Sequence, residues 1–288
     1  MNRLSPLMLL AVSFWAGAFI AGKVTANIVD PVTMTFLRFF IAAAALDGYY
    51  LARRRPLPLS LQIFKEALVL ALVGMVGYHV LFYTALETTT GIHASLIAAL
   101  NPFFTYLLSI VFLKTAVHKK KFLYIFSAIF FVSLIIVNFD FRSAFEQGIN
   151  PGDLAMILGV FLWASYSIIL KGFIAKYEPM DLIAVVFNLT VLLMVPFVDF
   201  KLLGSLAALE GEVLASILYM GLFPTVFGYL IQQVHIKKIG PERTNIYFNL
   251  VPVVAVTLSV IILGESLGIL SLFSGLGVVY SVYRFNQI

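Results

Sequence analysis

The chain has no cysteine and few charged residues. Without cysteine it can form no disulfide, no thiolate metal site and no thiol nucleophile. Charged residues make up 11% of the chain, whereas soluble proteins average about 25%. Hydrophobic residues reach 61%, and the mean hydropathy is +1.02. We therefore expect a protein that lies within a lipid bilayer.

Acidic residues are missing from the places where ion-coupled transporters usually carry them. All 14 Asp and Glu residues fall in predicted loops or near the ends of apolar segments. Intramembrane carboxylates commonly serve proton or sodium relays. Their absence argues against a multidrug-cation antiporter and favours a facilitator, or coupling through His79. It also fits a net-neutral, amphiphilic solute such as a zwitterionic amino acid.

Catalytic motifs are missing as well. The sequence has no His-Glu-x-x-His, no Gly-x-Ser-x-Gly and no pair of midplane aspartates, so we expect no enzymatic activity. The net charge of +5 is not carried by a basic stripe on a soluble domain, so nucleic acid is not an expected partner. We expect neither a cofactor nor a metal.

What the chain does contain is an internal duplication. It has only two tryptophans, and each stands eight residues before a lysine and sixteen before a proline. The two sets lie 148 residues apart and consist of Trp15, Lys23 and Pro31, and of Trp163, Lys171 and Pro179. A second pair of prolines, Pro102 and Pro252, repeats at an offset of 150. Because proline removes a backbone donor, we expect Pro102 and Pro252 to kink their helices.

The apolar segments number ten, each near the length of about 20 residues that crosses a bilayer as a helix. The predicted spans are 4–23, 32–51, 66–86, 92–113, 121–138, 153–174, 180–198, 213–234, 242–262 and 267–285. Five spans fall in each copy, so we divide the chain into a first repeat (1–139), an external linker loop (140–152) and a second repeat (153–288). The predicted fold is an all-α polytopic membrane protein of ten transmembrane helices in two five-helix repeats.

The basic residues predict how these spans are oriented. Fifteen of the 19 fall in loops on one side of the ten-span arrangement, and three fall on the other. Such loops face the cytoplasm, so we expect both termini to be cytoplasmic in a bacterial or archaeal plasma membrane. Because five is an odd number, the second repeat must enter the membrane in the opposite sense. Inverted repeats of this kind are typical of transporters.

Four short stretches carry a resemblance to a known family. They are Phe14-Trp15-Ala16-Gly17, Leu37-Arg38-Phe39, the segment from Ala94-Ser95-Leu96 to Asn101-Pro102, and Leu263-Gly264-Glu265. With the ten duplicated spans, the chain resembles the EamA-type members of the drug/metabolite transporter superfamily over its whole length. The resemblance implies a small-metabolite transporter, often an exporter of amino acids, with a central cavity lined by spans one, three, four, six, eight and nine.

Aromatic residues near the span centres are the first candidates for substrate binding. Trp15 and Trp163 lie mid-span rather than at the interfacial ends that tryptophan usually occupies, which indicates cavity lining or tight helix packing. Tyr78 and His79 lie in the third span, and the offset of 150 pairs His79 with Tyr229. His79 could make a structural hydrogen bond, contact the substrate or carry a coupled proton.

Polar residues in the spans leave further alternatives open. Arg38 lies about 10 Å inside the second span at 1.5 Å per residue, and either bonds helix-end carbonyls or binds a substrate carboxylate. Asn101 and Asn245 either cap the broken backbone or bind substrate. Lys23 and Lys171 are expected to extend to the interface.

We therefore expect a secondary transporter of a small amphiphilic metabolite, with amino acids as the leading class, working by export or facilitated diffusion through alternating access. The alternatives are a lipid-carrier flippase or lipid-modification subunit on the same fold, and an organic-cation or drug exporter. The expected partners are a small-molecule substrate and the lipid bilayer, with a homodimer left open.

Overall fold

In the computed structural model, residues 4–25, 28–89, 94, 97–136, 151–205, 208–254, 257 and 269–288 are described. Every regular element within these ranges is helical. The predicted linker lies outside them as far as residue 150, as does Glu265. The chain is thus an all-α polytopic membrane protein, as its sequence predicts.

Eight of the ten helices follow the predicted spans within about five residues, whereas the fourth begins at Asn101 rather than near residue 92 and the ninth ends at Asn245 rather than near residue 262. We label them α1 (Pro6–Thr25), α2 (Pro31–Ala52), α3 (Leu61–Thr88), α4 (Asn101–Phe112), α5 (Lys119–Ile136), α6 (Pro151–Ile174), α7 (Pro179–Met194), α8 (Gly211–Ile239), α9 (Pro241–Asn245) and α10 (Ile269–Gln287). A 3-10 turn, Val195–Phe197, extends α7, and a short helix, Phe200–Ser205, precedes α8. By length and hydropathy, α2, α3, α6, α8 and α7 with its 3-10 turn can each cross a membrane, while α1 and α4 contribute shorter apolar stretches.

Two helices are interrupted next to the duplicated prolines. Residues 99–100 form a turn before α4, so that Pro102 is the second residue of that helix, where no backbone donor is needed. In the other repeat α9 continues as a 3-10 segment, Ile246–Leu250. The Val251 N–H donates to the carbonyl of Phe248. In an α-helix this carbonyl would accept from residue 252, but Pro252 has no N–H. Both prolines thus mark helix breaks at related positions.

The repeats also share a feature that hydropathy does not predict. Residues Ala71–Gly77 of α3 and Gly221–Gly228 of α8 form π-helical segments, which lie 150 residues apart. Segments of this type are rare and often lie at functional sites. In α8 the segment contains Pro224, which lacks the N–H that an α-helix would bond to the Met220 carbonyl. The Thr225 hydroxyl donates to that carbonyl at 2.6 Å.

Helices of the two repeats pack against each other throughout the bundle. α6 packs on α3 and α4, α7 packs on α2, and α10 packs along α5. At the end of the bundle where α1 begins, which we call the Ser5 end, three ion pairs also join the repeats. They are Lys121–Glu242 (2.6 Å), Lys176–Glu66 (2.6 Å) and Arg55–Asp181 (3.6 Å). We call the opposite end, where α6 begins, the Asp153 end.

Candidate functional site

A cavity lies between the two repeats near the middle of the bundle. Its empty space, including the open mouth, is about 580 Å³. Both repeats contribute to its wall. The lining residues are Trp15, Ala18, Phe19, Arg38, Tyr78, His79, Phe82, Ala98, Trp163, Tyr229, Phe248, Val251 and Pro252.

Trp163 lies at the centre of an aromatic cluster on this wall. Its ring stacks on Tyr166 at 5.0 Å and contacts Tyr78 at 4.9 Å and Tyr229 at 5.2 Å. The side chain is 4% exposed, and its Nε1–H has no hydrogen-bond acceptor among the described residues. A buried indole N–H usually finds an acceptor. Trp163 thus lines the cavity with an indole N–H that is unpaired among the described residues.

Trp15 occupies the related position in the first repeat but is bonded within the protein. Its ring stacks on Phe248 with centroids 4.5 Å apart, and its Nε1–H donates to the Pro224 carbonyl at 3.3 Å. That bond ties α1 to the π-helical segment of α8. Both tryptophans line the cavity and both pack tightly, so the two interpretations left open by the sequence hold together. Only Trp163 keeps a free donor.

His79 and Tyr229, paired by the offset of 150, are hydrogen-bonded to each other. Nδ1 of His79 lies 2.9 Å from the Met75 carbonyl and 3.2 Å from the Gly74 carbonyl. Since carbonyls only accept, Nδ1 carries the proton, and Nε2 of the neutral ring accepts from the Tyr229 hydroxyl at 2.8 Å. The ring therefore joins the π-helical segment of α3 to α8, which supports the structural alternative for His79.

Replacing Tyr229 with phenylalanine should destabilise the protein by about 1–3 kcal/mol, because Nε2 of His79 would be buried without its donor. The measurement is the thermal unfolding midpoint of the purified protein in detergent. Tyr283→Phe is the matched control, since Tyr283 is 37% exposed. Equal unfolding midpoints for the two variants would show that the hydrogen bond between Tyr229 and His79 does not stabilise the folded protein.

Arg38 is buried, at 4% exposure, and lines the cavity. Its Nε donates to the Thr225 hydroxyl at 2.6 Å and its Nη1 donates to the Tyr83 hydroxyl at 3.4 Å. Both partners are neutral, and no described carboxylate lies within ion-pair distance of the guanidinium. Among the described residues, Arg38 thus bonds to side chains beside the cavity rather than to a loop or helix-end carbonyl.

Asn101 and Asn245 lie outside the cavity wall and belong to one polar cluster. The Asn245 amide donates to Thr105 at 3.0 Å and to Ser167 at 2.8 Å, and its oxygen accepts from Gln232 at 3.1 Å. Thr105 in turn donates to Asn101 at 3.3 Å. The cluster ties α4, α6, α8 and α9 together, so the structure does not bring either asparagine to the cavity.

Several lining residues could not be singled out from the sequence. Phe19, Phe82 and Phe248 are three of 27 phenylalanines, and nothing in the pattern distinguishes them. Thr225 accepts from Arg38 but is not itself a lining residue. It follows a proline inside a span, and that position could have identified it as a polar group beside a helix break. The Lys171 ammonium donates to the carbonyls of Ile236 and Lys237 at the end of α8, each at 3.1 Å. The side chain of Lys23 lies outside the described residues.

Comparison with known proteins gives consistent results. The model of the EamA-like transporter family matches residues 5–137 and again residues 150–286. The uncharacterized transporter YyaM of Bacillus subtilis is 31% identical over 88% of this chain and 84% of its own length. An uncharacterized transporter of Archaeoglobus fulgidus is 26% identical over 98% of this chain and 97% of its own. A solved crystal structure with 16% identity superposes with a TM-score of 0.73, covering 98% of this chain and 95% of that one, which is a likeness of fold alone.

Proposed function

Because this chain belongs to the EamA-like transporter family, we propose that it moves small amphiphilic metabolites, with amino acids as the leading class, by alternating access. The family is one of polytopic membrane transporters with two repeats. The solute would bind in the central cavity and leave after the two repeats rock around it.

The observation that supports this proposal is the composition of the cavity wall. α1, α2 and α3 of the first repeat and α6 and α8 of the second all contribute side chains. A solute held there would touch both repeats, so their relative movement would change its access. The wall is mainly aromatic, with a few polar groups, which suits the apolar body and polar head of an amphiphilic metabolite.

The ion pairs of the Ser5 end support the same mechanism. They join the repeats across the bundle, on the far side of the cavity from the Asp153 end. Alternating access would require them to separate when that end opens. By the loop charges the Ser5 end faces the cytoplasm, with both termini there, and the repeats divide at the external linker 140–152.

The test is flux into and out of liposomes that contain the purified protein. Labelled amino acids, sugars, nucleosides and organic cations are offered with and without a pH gradient. We expect saturable flux of amino acids. Flux confined to organic cations, or lipid scrambling without flux of any solute, would contradict the proposal.

A matched pair of variants connects the flux to the cavity. Trp163→Phe keeps an aromatic ring but removes the free donor, so the apparent affinity for the solute should fall about fivefold, as expected for one hydrogen bond. Trp15→Phe removes a donor whose acceptor is the Pro224 carbonyl. This variant should therefore unfold at a lower temperature than the original protein but bind the solute with nearly the same affinity. The same loss of affinity in both variants would count against the assigned role of Trp163.

A further inference from the structure

The unused hydrogen-bonding groups of the cavity are mostly donors. A guanidinium carries five N–H groups, and two of the nitrogens of Arg38 donate to neutral hydroxyls. The Nε1–H of Trp163 has no acceptor among the described residues. By contrast, both ring nitrogens of His79 and the indole N–H of Trp15 are engaged within the protein. The complementary ligand group is therefore an acceptor.

The charge of the wall indicates which acceptor. Arg38 is the one charged residue among the described residues that line the cavity. A buried cation without an anionic partner is costly, and a bound anion would offset that cost. A carboxylate has only acceptors and matches the planar guanidinium with two parallel hydrogen bonds.

A zwitterion would satisfy this site less well than a simple carboxylate. One carboxylate neutralises Arg38, whereas an amino acid also brings an ammonium and leaves one positive charge unpaired in the cavity. No acidic residue occurs among the described lining residues to accept that ammonium. The rings of Tyr78, Trp163 and Tyr229 offer their faces to an apolar body.

We propose that Arg38 determines specificity by binding the carboxylate of the solute, and that the cavity accepts aromatic carboxylic acids that carry no amine. This inference rests on the proposed function, and within its small amphiphilic metabolites it favours solutes whose charged group is a carboxylate alone over amino acids. Organic cations are excluded by the charge of Arg38.

The test is calorimetric titration of the purified protein in detergent with three matched ligands at neutral pH. 3-Phenylpropionate has the carboxylate alone, phenylalanine has both charges, and phenethylamine has the amine alone. We expect 3-phenylpropionate to bind more tightly than phenylalanine and at least tenfold more tightly than phenethylamine. The reverse order, or equal affinities, would overturn the proposal without any variant.

Variants then assign the effect to Arg38. In Arg38→Met, 3-phenylpropionate should bind about tenfold to hundredfold more weakly, the range for loss of a charge-assisted hydrogen bond. The affinity for phenethylamine should not fall. Arg38→Lys keeps the charge and should retain part of the preference. Arg284→Met removes a positive charge near the end of α10 and should change nothing. If Arg38→Met does not fold, the order of the three ligands on the unaltered protein and on Arg38→Lys still decides.

Failure of this inference can be told apart from failure of the proposed function. Absence of binding for all three ligands would overturn the role of Arg38. Flux of sugars or nucleosides in the liposome assay would still show a transporter. Binding of 3-phenylpropionate without flux of any solute would support the site and contradict the transport proposal.

Discussion

Replacing Lys121 with methionine is expected to destabilise the folded protein by about 3–5 kcal/mol, the range for breaking a buried ion pair on one side. Lys121 is 2% exposed, and its Nζ lies 2.6 Å from Oε1 of Glu242. The ammonium also lies over the rings of Tyr106, at 5.3 Å, and Phe285, at 5.1 Å. Without Lys121 the Glu242 carboxylate would remain as an uncompensated charge. The measurement is chemical or thermal unfolding in detergent.

Two controls separate the buried charge from a general loss of lysine. Lys176 forms an ion pair of the same length with Glu66, but its side chain is 46% exposed, so Lys176→Met should cost no more than about 1 kcal/mol. The double variant Lys121→Met with Glu242→Gln removes both charges and should recover part of the stability that Lys121→Met loses. Equal losses for Lys121→Met and Lys176→Met would show that burial of the pair has no effect.

Replacing Gly74 with alanine is expected to cost about 1–3 kcal/mol, the usual penalty of overpacking, and to weaken solute binding as well. Gly74 lies in the π-helical segment of α3, and an added Cβ would be 2.3 Å from the ring of Tyr166. Tyr166 cannot yield freely, because it is fully buried and stacks on Trp163. Displacing it would move the tryptophan that lines the cavity.

Gly48→Ala is the matched control for this prediction. Gly48 lies inside α2, and an added Cβ would meet nothing within 4 Å. Since alanine favours a helix over glycine by up to about 1 kcal/mol, this variant should be slightly more stable than the original. The unfolding midpoint and the affinity for the solute are measured on both variants. A Gly74→Ala protein that unfolds and binds like Gly48→Ala would disprove the close contact with Tyr166.

The membrane fold could be predicted because a bilayer imposes simple requirements on a sequence. Each helix needs a long apolar stretch, and each break needs a local cause that can be read from residue types. Eight of the predicted spans agree with the helices within about five residues, and the fourth and ninth are broken next to Pro102 and Pro252. The π-helical segments escaped prediction because hydropathy does not distinguish one helical hydrogen-bond pattern from another.

The candidate site was only partly predictable, because symmetry in sequence does not ensure symmetry in contacts. The duplication related Trp15 to Trp163 and His79 to Tyr229, and all four line one cavity. What each side chain does there depends on neighbours that are distant in sequence. Trp15 donates to the Pro224 carbonyl 209 residues away, whereas the indole N–H of Trp163 has no acceptor among the described residues.

The sequence by itself predicted a duplicated helical membrane protein from its composition and period, and its resemblance to the EamA-type members implied a transporter, which the family match bears out. Only the tertiary structure decided which polar groups remain free for a solute. Asn101 and Asn245 bond within the protein, while Arg38 and Trp163 line the cavity, and the described residues give Arg38 no carboxylate and the Trp163 indole N–H no acceptor. Whether a donor is free depends on what lies within about 3 Å of it, and that is set by how the two repeats pack.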